Sequence, residues 1–259
     1  MAYRQSAGLR NFLQEGGSLK QAFAGGKLLL YSGTQPASAD AAVTGTLLCT
    51  YTLSSGAHTA EVKATGGTTL VGTVGSVDTF TVNSLEIMGT ATAFDTDLTT
   101  TAAAVCTKIN NNPKNAYFKA TSSGAVITLT AKPGYGTLPN TWVVTPGGSG
   151  GITFSGTANM SGGVNSANGL TFGDSVAGAL PRNPAETWSG VGAATGTAGY
   201  FRLVGAIADA GALDSAELYH RIDGNVATSG ANLNLSSTTI TTDAPQTIGT
   251  PFTITEPAS

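Results

Sequence analysis

The stretch that decides the fold class is KLLLYSGTQPASADAAVTGTLLCTYTL, residues 27–53. Its two ends, 27–32 and 45–53, are short runs rich in leucine, tyrosine and threonine and bounded by glycine, a pattern typical of β-strands. The segment between them, 33–44, holds a proline and many small residues, which indicates a loop. The stretch therefore predicts two strands. They can pair with each other, although a loop of this length permits other arrangements.

A short helical arm is predicted before this stretch, over residues 1–25. Phe12 and Leu13 lie on the apolar face of a first short helix, and Phe23 lies on that of a second, with a Gly-Gly pair between the two. Ser18 is the expected N-cap of the second helix. The arm is expected to pack or dock against a partner rather than to bind DNA.

Residues 60–165 have a sequence pattern of their own, in which strand-like runs surround one helical segment, and this indicates a separate unit. That helix is predicted near 96–110, because apolar residues recur there at spacings of three and four. Asp95 or Asp97 supplies its N-cap, and an Asn-Asn-Asn-Pro run ends it. With one apolar stripe, the helix should lie on one face of a sheet. The segment is predicted to be a small inserted α/β module.

Strand-like patterns return after the module, for example at 199–207, 216–222 and 251–255. The simplest organisation joins residues 1–58 and 166–259 into one discontinuous domain, since insertion into an exposed hairpin is tolerated. The predicted fold class is mainly β: a β-sandwich with a short N-terminal helical arm, interrupted by the inserted α/β module.

Composition limits the function classes. Only 10% of the residues are charged, the net charge is −3, and no run of Lys or Arg occurs, so nucleic acid is not an expected partner. No stretch of about 20 apolar residues is present, and polar residues interrupt the N-terminal 15, so neither a membrane span nor a signal peptide is expected. A surface rich in Ser, Thr, Asn and Gly suits broad contacts with other proteins or with copies of the chain.

Catalytic groups are scarce, since the chain has two histidines. His58 lies near the suspected domain junction, where an exposed linker residue is favoured, and His220 lies in a predicted strand, where a structural, hydrogen-bonded role is favoured. A nucleophile, a base and an orienting group do not converge in any recognised motif. We expect a protein that is not an enzyme and that holds no cofactor or metal.

Four carboxylates form the densest acidic cluster, and such a group can bind Ca²⁺ or act as a glycosidase pair. Their spacing matches no calcium loop, so solvated carboxylates at loops and strand edges are favoured over a site. The four are Asp209, Asp214, Glu217 and Asp223.

The two cysteines, Cys49 and Cys106, have no CxxC spacing and no adjacent histidine. Metal binding and thiol redox chemistry are therefore not indicated. Two buried free thiols are favoured, and one disulfide between them remains the alternative.

Aromatic side chains leave a carbohydrate-binding role open. Trp142 and Trp188 are the candidate stacking platforms for a glycan, with Tyr135 and Tyr200 as further possibilities. For Trp188, which lies in a Pro- and Gly-rich loop, buried anchoring of the loop is favoured over display.

The stretch from residue 8 to residue 53, beginning GLRNFLQEGG and containing LLLYSGTQPASAD, resembles the start of small virion proteins of tailed bacteriophages. The later motifs GYFRLVG, RIDGNV and TITEPA look like the second part of the same proteins. The middle, with NPKNAYFKATSSGAVITLTAK and NMSGGV, is similar to a small α/β module of phage tail and other structural proteins. The resemblance covers most of the chain, and it carries over no site residue.

The resemblance implies a non-enzymatic structural component of a tailed phage virion, made in the cytoplasm of the host bacterium. A capsid decoration (cement) or minor capsid protein that binds the assembled shell is favoured; the alternatives are a tail or baseplate protein and a carbohydrate-binding module for host attachment. The expected partners are major capsid or tail proteins and further copies of this chain. The candidate contact anchors are Phe12, Leu13, Phe23 and Tyr31.

Overall fold

The structure is a computed structural model that describes residues 3–248 and 251–255. The chain divides into two compact units, each with its own hydrophobic core. Residues 1–61 and 166–259 form the first, called here the discontinuous unit, and 62–165 form the second, the inserted unit. The start of the predicted arm and the end of the TITEPA motif lie outside the described residues.

The fold is mainly β, with several antiparallel sheets and few helices, which confirms the predicted fold class. The helices are α1 (Ala7–Gln14), α2 (Leu19–Phe23) and α3 (Leu98–Asn111). The strands are β1 (Arg4–Gln5), β2 (Lys27–Ser32), β3 (Leu47–Tyr51), β4 (Thr65–Val71), β5 (Ser76–Val82), β6 (Leu85–Glu86), β7 (Thr92–Ala93), β8 (Phe118–Ser123), β9 (Val126–Ala131), β10 (Val144–Ser149), β11 (Thr153–Ser161), β12 (Ala179–Pro181), β13 (Ser189–Val191), β14 (Gly196–Val204), β15 (Arg221–Ala227), β16 (Leu233–Asn234), β17 (Thr239–Ile240), β18 (Pro245–Thr247) and β19 (Thr253–Thr255).

The main sheet of the discontinuous unit has the strand order β1-β15-β14-β2-β3, and these neighbours are antiparallel. The two strands predicted from the opening stretch pair directly, with Leu30 opposite Cys49. Strand β16 runs parallel beside β15, β17 lies beside β14, and two short sheets are formed by β12 with β19 and by β13 with β18. Apolar residues of the main sheet, of the β12-β19 sheet and of α1 and α2 share one large core.

Strand β2 is buried on both faces of the main sheet. Leu28 and Leu30 point into the large core, whereas Leu29 and Tyr31 point to the opposite face, where they pack with Tyr200. Successive side chains of a strand alternate between faces, so a strand covered on both sides reads as a continuous apolar run. This is why KLLLYS shows no alternation of polar and apolar residues.

Two buried ion pairs lie on that opposite face. Arg202 donates to both carboxylate oxygens of Asp223 at 2.7 and 2.8 Å, and Arg221 donates to both oxygens of Asp209 at 2.7 and 2.6 Å. Arg202 also donates to the carbonyl of Ala41, at 3.1 Å, in the loop predicted over residues 33–44. The arginines thereby hold the covering loops onto the sheet.

The strand predicted over 216–222 is wrong in its first part, because β15 begins only at Arg221. The Asp214 carboxylate accepts hydrogen bonds from the backbone N–H groups of Leu218 and Tyr219, at 3.1 and 2.9 Å. Such side-chain bonds to the backbone hold a turn and compete with strand pairing.

The inserted unit contains two sheets, one with the order β10-β5-β6 and β7 beside β5, the other with the order β11-β4-β9-β8. The predicted helix is confirmed as α3, which packs mainly on β8. The Asp97 side chain accepts from the N–H of Thr100 at 2.7 Å, so Asp97 is the N-cap. Buried Val105 and Ile109 form part of the stripe that α3 contributes to the core.

The chain pairs with itself where it passes from one unit to the other. Thr59 and Ala167 exchange two backbone hydrogen bonds of 3.1 and 3.0 Å within the discontinuous unit. Val62 and Val164 do the same at 3.0 and 2.9 Å within the inserted unit. The inserted unit therefore begins and ends on two adjacent antiparallel segments.

Candidate interaction surfaces

The helical arm packs onto its own unit, and this corrects the prediction of its anchors. Phe23 is fully buried and Phe12 is 6% exposed, both in the large core. Phe12 lies against the ring of His220, with 4.5 Å between the ring centroids. Two side chains that fill the core offer almost no surface to a partner, so they stabilise the fold instead of anchoring a contact.

The other two predicted anchors divide between core and surface. Tyr31 is buried and stacks on Tyr200, with ring centroids 5.1 Å apart, and burial raises the pKa of Tyr31 to about 12. Tyr31 is therefore not an exposed anchor, and Tyr200, being fully buried, is not a stacking platform. Leu13 is partly buried against the large core and keeps some exposed surface.

The prediction of Trp188 as a glycan platform is also corrected. Trp188 is fully buried, its indole N–H donates to Glu186 at 3.0 Å, and its ring lies 5.3 Å from that of Phe172 and 5.4 Å from that of Phe252. The favoured interpretation, buried anchoring of the loop, agrees with this environment.

Trp142 remains partly exposed in the inserted unit. Its ring meets Tyr117 edge-on at 5.1 Å, and Tyr135 lies 5.1 Å from Tyr117. Leu138 and Val143, close to Trp142 in sequence, are both more than half exposed. These aromatic residues form a half-exposed cluster, called here the Trp142 cluster.

The two histidines occupy different environments. His220 is buried beside Phe12, and its Nδ1 lies 3.4 Å from the carbonyl of Ala22, in line with a structural role. His58 is half-buried rather than an exposed linker residue, and its Nε2 lies 2.8 Å from the carbonyl oxygen of Gly25.

The acidic residues of the densest cluster have separate structural partners. Asp209 and Asp223 pair with arginines, Asp214 holds a turn, and Glu217 accepts from the side chain of Asn11 at 2.7 Å. Within the described ranges, no group of three or more His, Cys, Asp or Glu side chains is placed to hold a metal ion. The prediction of solvated carboxylates is wrong for Asp209 and Asp223, whose side chains are buried in ion pairs, and for Asp214, which is buried and bonded to backbone N–H groups.

Cys49 and Cys106 are both free and buried, each in the core of a different unit. Burial raises the pKa of each thiol to about 11, so the reactive thiolate form is disfavoured near neutral pH. This agrees with the favoured prediction of two buried thiols.

The outer side of the β11-β4-β9-β8 sheet is a broad surface of small residues. In β9, Ile127 and Leu129 are buried in the core while Thr128 and Thr130, between and after them, point outward. Lys119 is the single charged residue among the described residues of this surface. We call it the hydroxyl face; its members are Thr65, Gly67, Thr69, Val71, Lys119, Thr121, Ser123, Val126, Thr128, Thr130, Thr153, Ser155, Ala158 and Ser161.

A shallow hollow of about 280 Å³ lies in the hydroxyl face, beside Gly67 and Thr128. Gly67 has a φ of +151°, and a Cβ there would lie 2.1 Å from the carbonyl oxygen of Ile127. Only glycine fits this close approach.

One edge of this sheet is covered by asparagine side chains. Asn110 accepts from the N–H of Ala120 at 2.8 Å and donates to its carbonyl at 2.9 Å, and Asn115 forms the same pair of bonds with Phe118 at 3.1 and 2.9 Å. The side chains replace a neighbouring strand along β8 and so protect the edge from pairing with another chain. The sequence analysis used Asn110 only as part of the helix stop and gave Asn115 no role; an asparagine next to a predicted strand was the available signal.

Comparison of the chain with protein-family models, with curated proteins and with solved structures found no match. Among the described residues, none of the helices has the length and apolar character needed to cross a membrane.

Proposed function

We propose that this protein is a non-enzymatic structural component of a tailed phage virion, most simply a capsid decoration or minor capsid protein that contacts its neighbours through the hydroxyl face. The resemblance of the opening stretch to phage virion proteins supports a location in the virion. The hydroxyl face is the observation that carries the contact role, because a broad and almost uncharged sheet surface is suited to lie flat against another protein.

The side chains of the hydroxyl face would lose little conformational entropy when a partner binds. Ser, Thr, Ala, Gly and Val lose little side-chain freedom when a partner covers them, whereas Lys, Arg or Glu would lose about 1.5–2 kcal/mol each. The single charge, Lys119, lies on the edge strand β8, so a partner can cover the centre of the face without burying a charge.

The size of the face favours many weak contacts over one strong one. Four strands spaced about 4.8 Å apart and about seven residues long cover roughly 400 Å². A standard stable interface needs about 800 Å² on each partner. A single copy would therefore bind weakly, and repeated copies on a particle would gain strength by acting together.

A protein that binds only the assembled shell stabilises that shell by mass action. Purified protein should therefore bind expanded capsids and raise their melting temperature. Thr128→Lys should weaken this binding at least about tenfold, since it adds a charge at the centre of the face. The matched control is Thr107→Lys, which adds the same charge on an exposed position of α3.

Binding of both variants with equal strength would exclude the hydroxyl face as the contact. Failure of the unaltered protein to bind capsids or to raise their melting temperature would exclude the decoration role. Binding to purified tails instead would favour the alternative of a tail or baseplate protein.

A second candidate function, carbohydrate binding for host attachment, is favoured by one observation: the partial exposure of the Trp142 cluster. Exposed aromatic rings can stack on sugars, and Trp142 is the remaining tryptophan for that role. Under this alternative, Trp142→Ala should abolish adsorption of the protein to host glycans, measured on isolated cell-surface polysaccharide. Equal adsorption by the variant and the unaltered protein would exclude it.

A further inference from the structure

A groove of about 380 Å³ in the discontinuous unit has a character different from that of the hydroxyl face. It brings together a lysine, a histidine, two hydroxyl side chains and the backbone of a tight loop, and none of the residues described along it is acidic. The residues on which the inference depends are Lys27, Thr50, Ser55, Gly56 and His58.

Lys27 brings an unpaired positive charge to this groove. Within the described ranges its ammonium group has no hydrogen bond or ion pair, whereas Lys20 in the same unit binds Asp174 at 2.9 Å. The buried cations of the unit, Arg202 and Arg221, are likewise neutralised by carboxylates. In a chain of net charge −3, an unpaired lysine in a groove is available to an anion.

His58 is oriented by its hydrogen bond to the backbone. A carbonyl oxygen can only accept, so the contact of 2.8 Å with Gly25 places a proton on Nε2. The other ring nitrogen, Nδ1, has no partner among the residues that the structure describes. It becomes a second donor when the imidazole is protonated.

The loop that borders the groove is fixed in place. Ser55 has a φ of +57°, in the left-handed region that most residues avoid. Asn168 fixes this loop from an adjacent segment of the chain. Its side-chain amide accepts a hydrogen bond from the Ser54 hydroxyl at 2.8 Å and donates one to the Thr52 hydroxyl at 3.1 Å. A strained backbone held by its surroundings is more common at functional sites than elsewhere.

We propose that the groove binds an oxyanion, either a carboxylate or a phosphate group, between the ammonium of Lys27 and the protonated ring of His58. This site is separate from the contact proposed above and does not depend on it. Burial and, less strongly, the charge of Lys27 lower the pKa of His58, while the Gly25 carbonyl raises it. Lys27 is the charged side chain that acts on the ring.

Binding of the anion and protonation of His58 must strengthen each other, since the two effects are linked. An anion favours the imidazolium form and therefore raises the pKa of His58. Conversely, affinity for the anion should rise as pH falls through that pKa and should decline above it, where the neutral ring leaves Lys27 as the single cation.

The test is an NMR titration of the full chain labelled with ¹⁵N at its two histidines. The pKa of His58 is measured in sodium acetate, in sodium phosphate and in sodium chloride at the same ionic strength. We expect a saturable rise of the pKa in acetate, in phosphate or in both, corresponding to at least about fivefold tighter binding by the protonated form. His220, which is buried, serves as the internal control and should not respond.

Lys27→Gln should reduce the affinity for the anion at least about fivefold, and Lys20→Gln, the matched control, should leave it unchanged. The dispersion of the amide spectrum shows whether each variant is folded. A response in acetate alone identifies a carboxylate site, and a response in phosphate alone identifies a phosphate site. Equal pKa values of His58 in all three salts, or an undiminished response in the folded Lys27→Gln variant, would overturn the proposal.

Discussion

Asp223 and Arg202 lie opposite each other on neighbouring strands, with both side chains fully buried. This pairing allows two charged side chains to be buried in the unit. The guanidinium and the carboxylate neutralise each other, and Arg202 also donates a hydrogen bond to the carbonyl of Ala41 in a covering loop. The sequence did not reveal this pair, because alternation assigns a residue to a face but not to a partner across the sheet.

Asp223→Asn should destabilise the discontinuous unit by about 3–5 kcal/mol, because it leaves the guanidinium of Arg202 buried without a countercharge. The measurement is urea unfolding at pH 7. Asp243→Asn, at an exposed turn position, is the control and should change stability by less than about 0.5 kcal/mol. Equal stability of the two variants would show that the ion pair contributes little.

Residues were easier to assign to a core than to a surface. The apolar spacing correctly placed Phe12 and Phe23 on helical faces, but the same spacing fits a face that docks on a partner and one that packs on the chain's own sheet. Burial in the large core decided between them. For Trp188, buried anchoring of its loop was correctly favoured, since a large aromatic ring with one polar atom usually finds both a core and a hydrogen-bond acceptor.

At the scale of elements, α3 was the most predictable part of the chain. A capping aspartate, a regular apolar stripe and a final Asn-Pro are local signals, and each agrees with the tertiary structure. The start of β15 was missed because Asp214 holds the preceding turn, and which residue bonds which N–H is not visible in a pattern. The register of the hydroxyl face was likewise not predictable, since it depends on bulges in β11.

The N-cap of α3 leads to a prediction about pH. Hydrogen bonds from the Thr100 backbone and side chain lower the pKa of Asp97, so its stabilising effect is complete above its ordinary pKa and is lost as pH falls through the lowered value. Asp97→Ala should lower the melting temperature of the inserted unit at pH 7. Asp97→Asn should retain most of the stability there, because asparagine is also a good N-cap.

The thermal scans should be repeated between pH 2 and pH 7. As the pH falls, the unaltered protein should lose its advantage over Asp97→Ala, while Asp97→Asn should keep a constant advantage. A difference between the unaltered protein and Asp97→Ala that does not depend on pH would contradict the role of the ionised carboxylate.

At the scale of the whole molecule, two units with separate cores follow from one chain. The sequence pattern changes near residues 60 and 165 because, among the described residues, the one helix longer than ten residues lies in the inserted unit with strands around it. The paired segments at Thr59 and Ala167 show how an insertion can leave the surrounding unit intact.

Residues 62–165 expressed alone should fold and unfold cooperatively, since this unit has its own core of buried residues. The remaining chain, with 62–165 replaced by a short Gly-Asn linker, should also fold. Circular dichroism and urea unfolding measure both products, and the intact chain is the control. A fragment that stays unfolded would show that the two units depend on each other for stability.

The proposed virion role is tested most directly by searching for the protein in purified phage particles released from a bacterial culture that expresses this sequence, with a specific antibody and electron microscopy. We expect label distributed over the head in many copies, as a decoration or minor capsid protein requires. Label confined to the tail would keep a structural role and reject the capsid version. Complete absence of the protein from the particles would contradict the central claim.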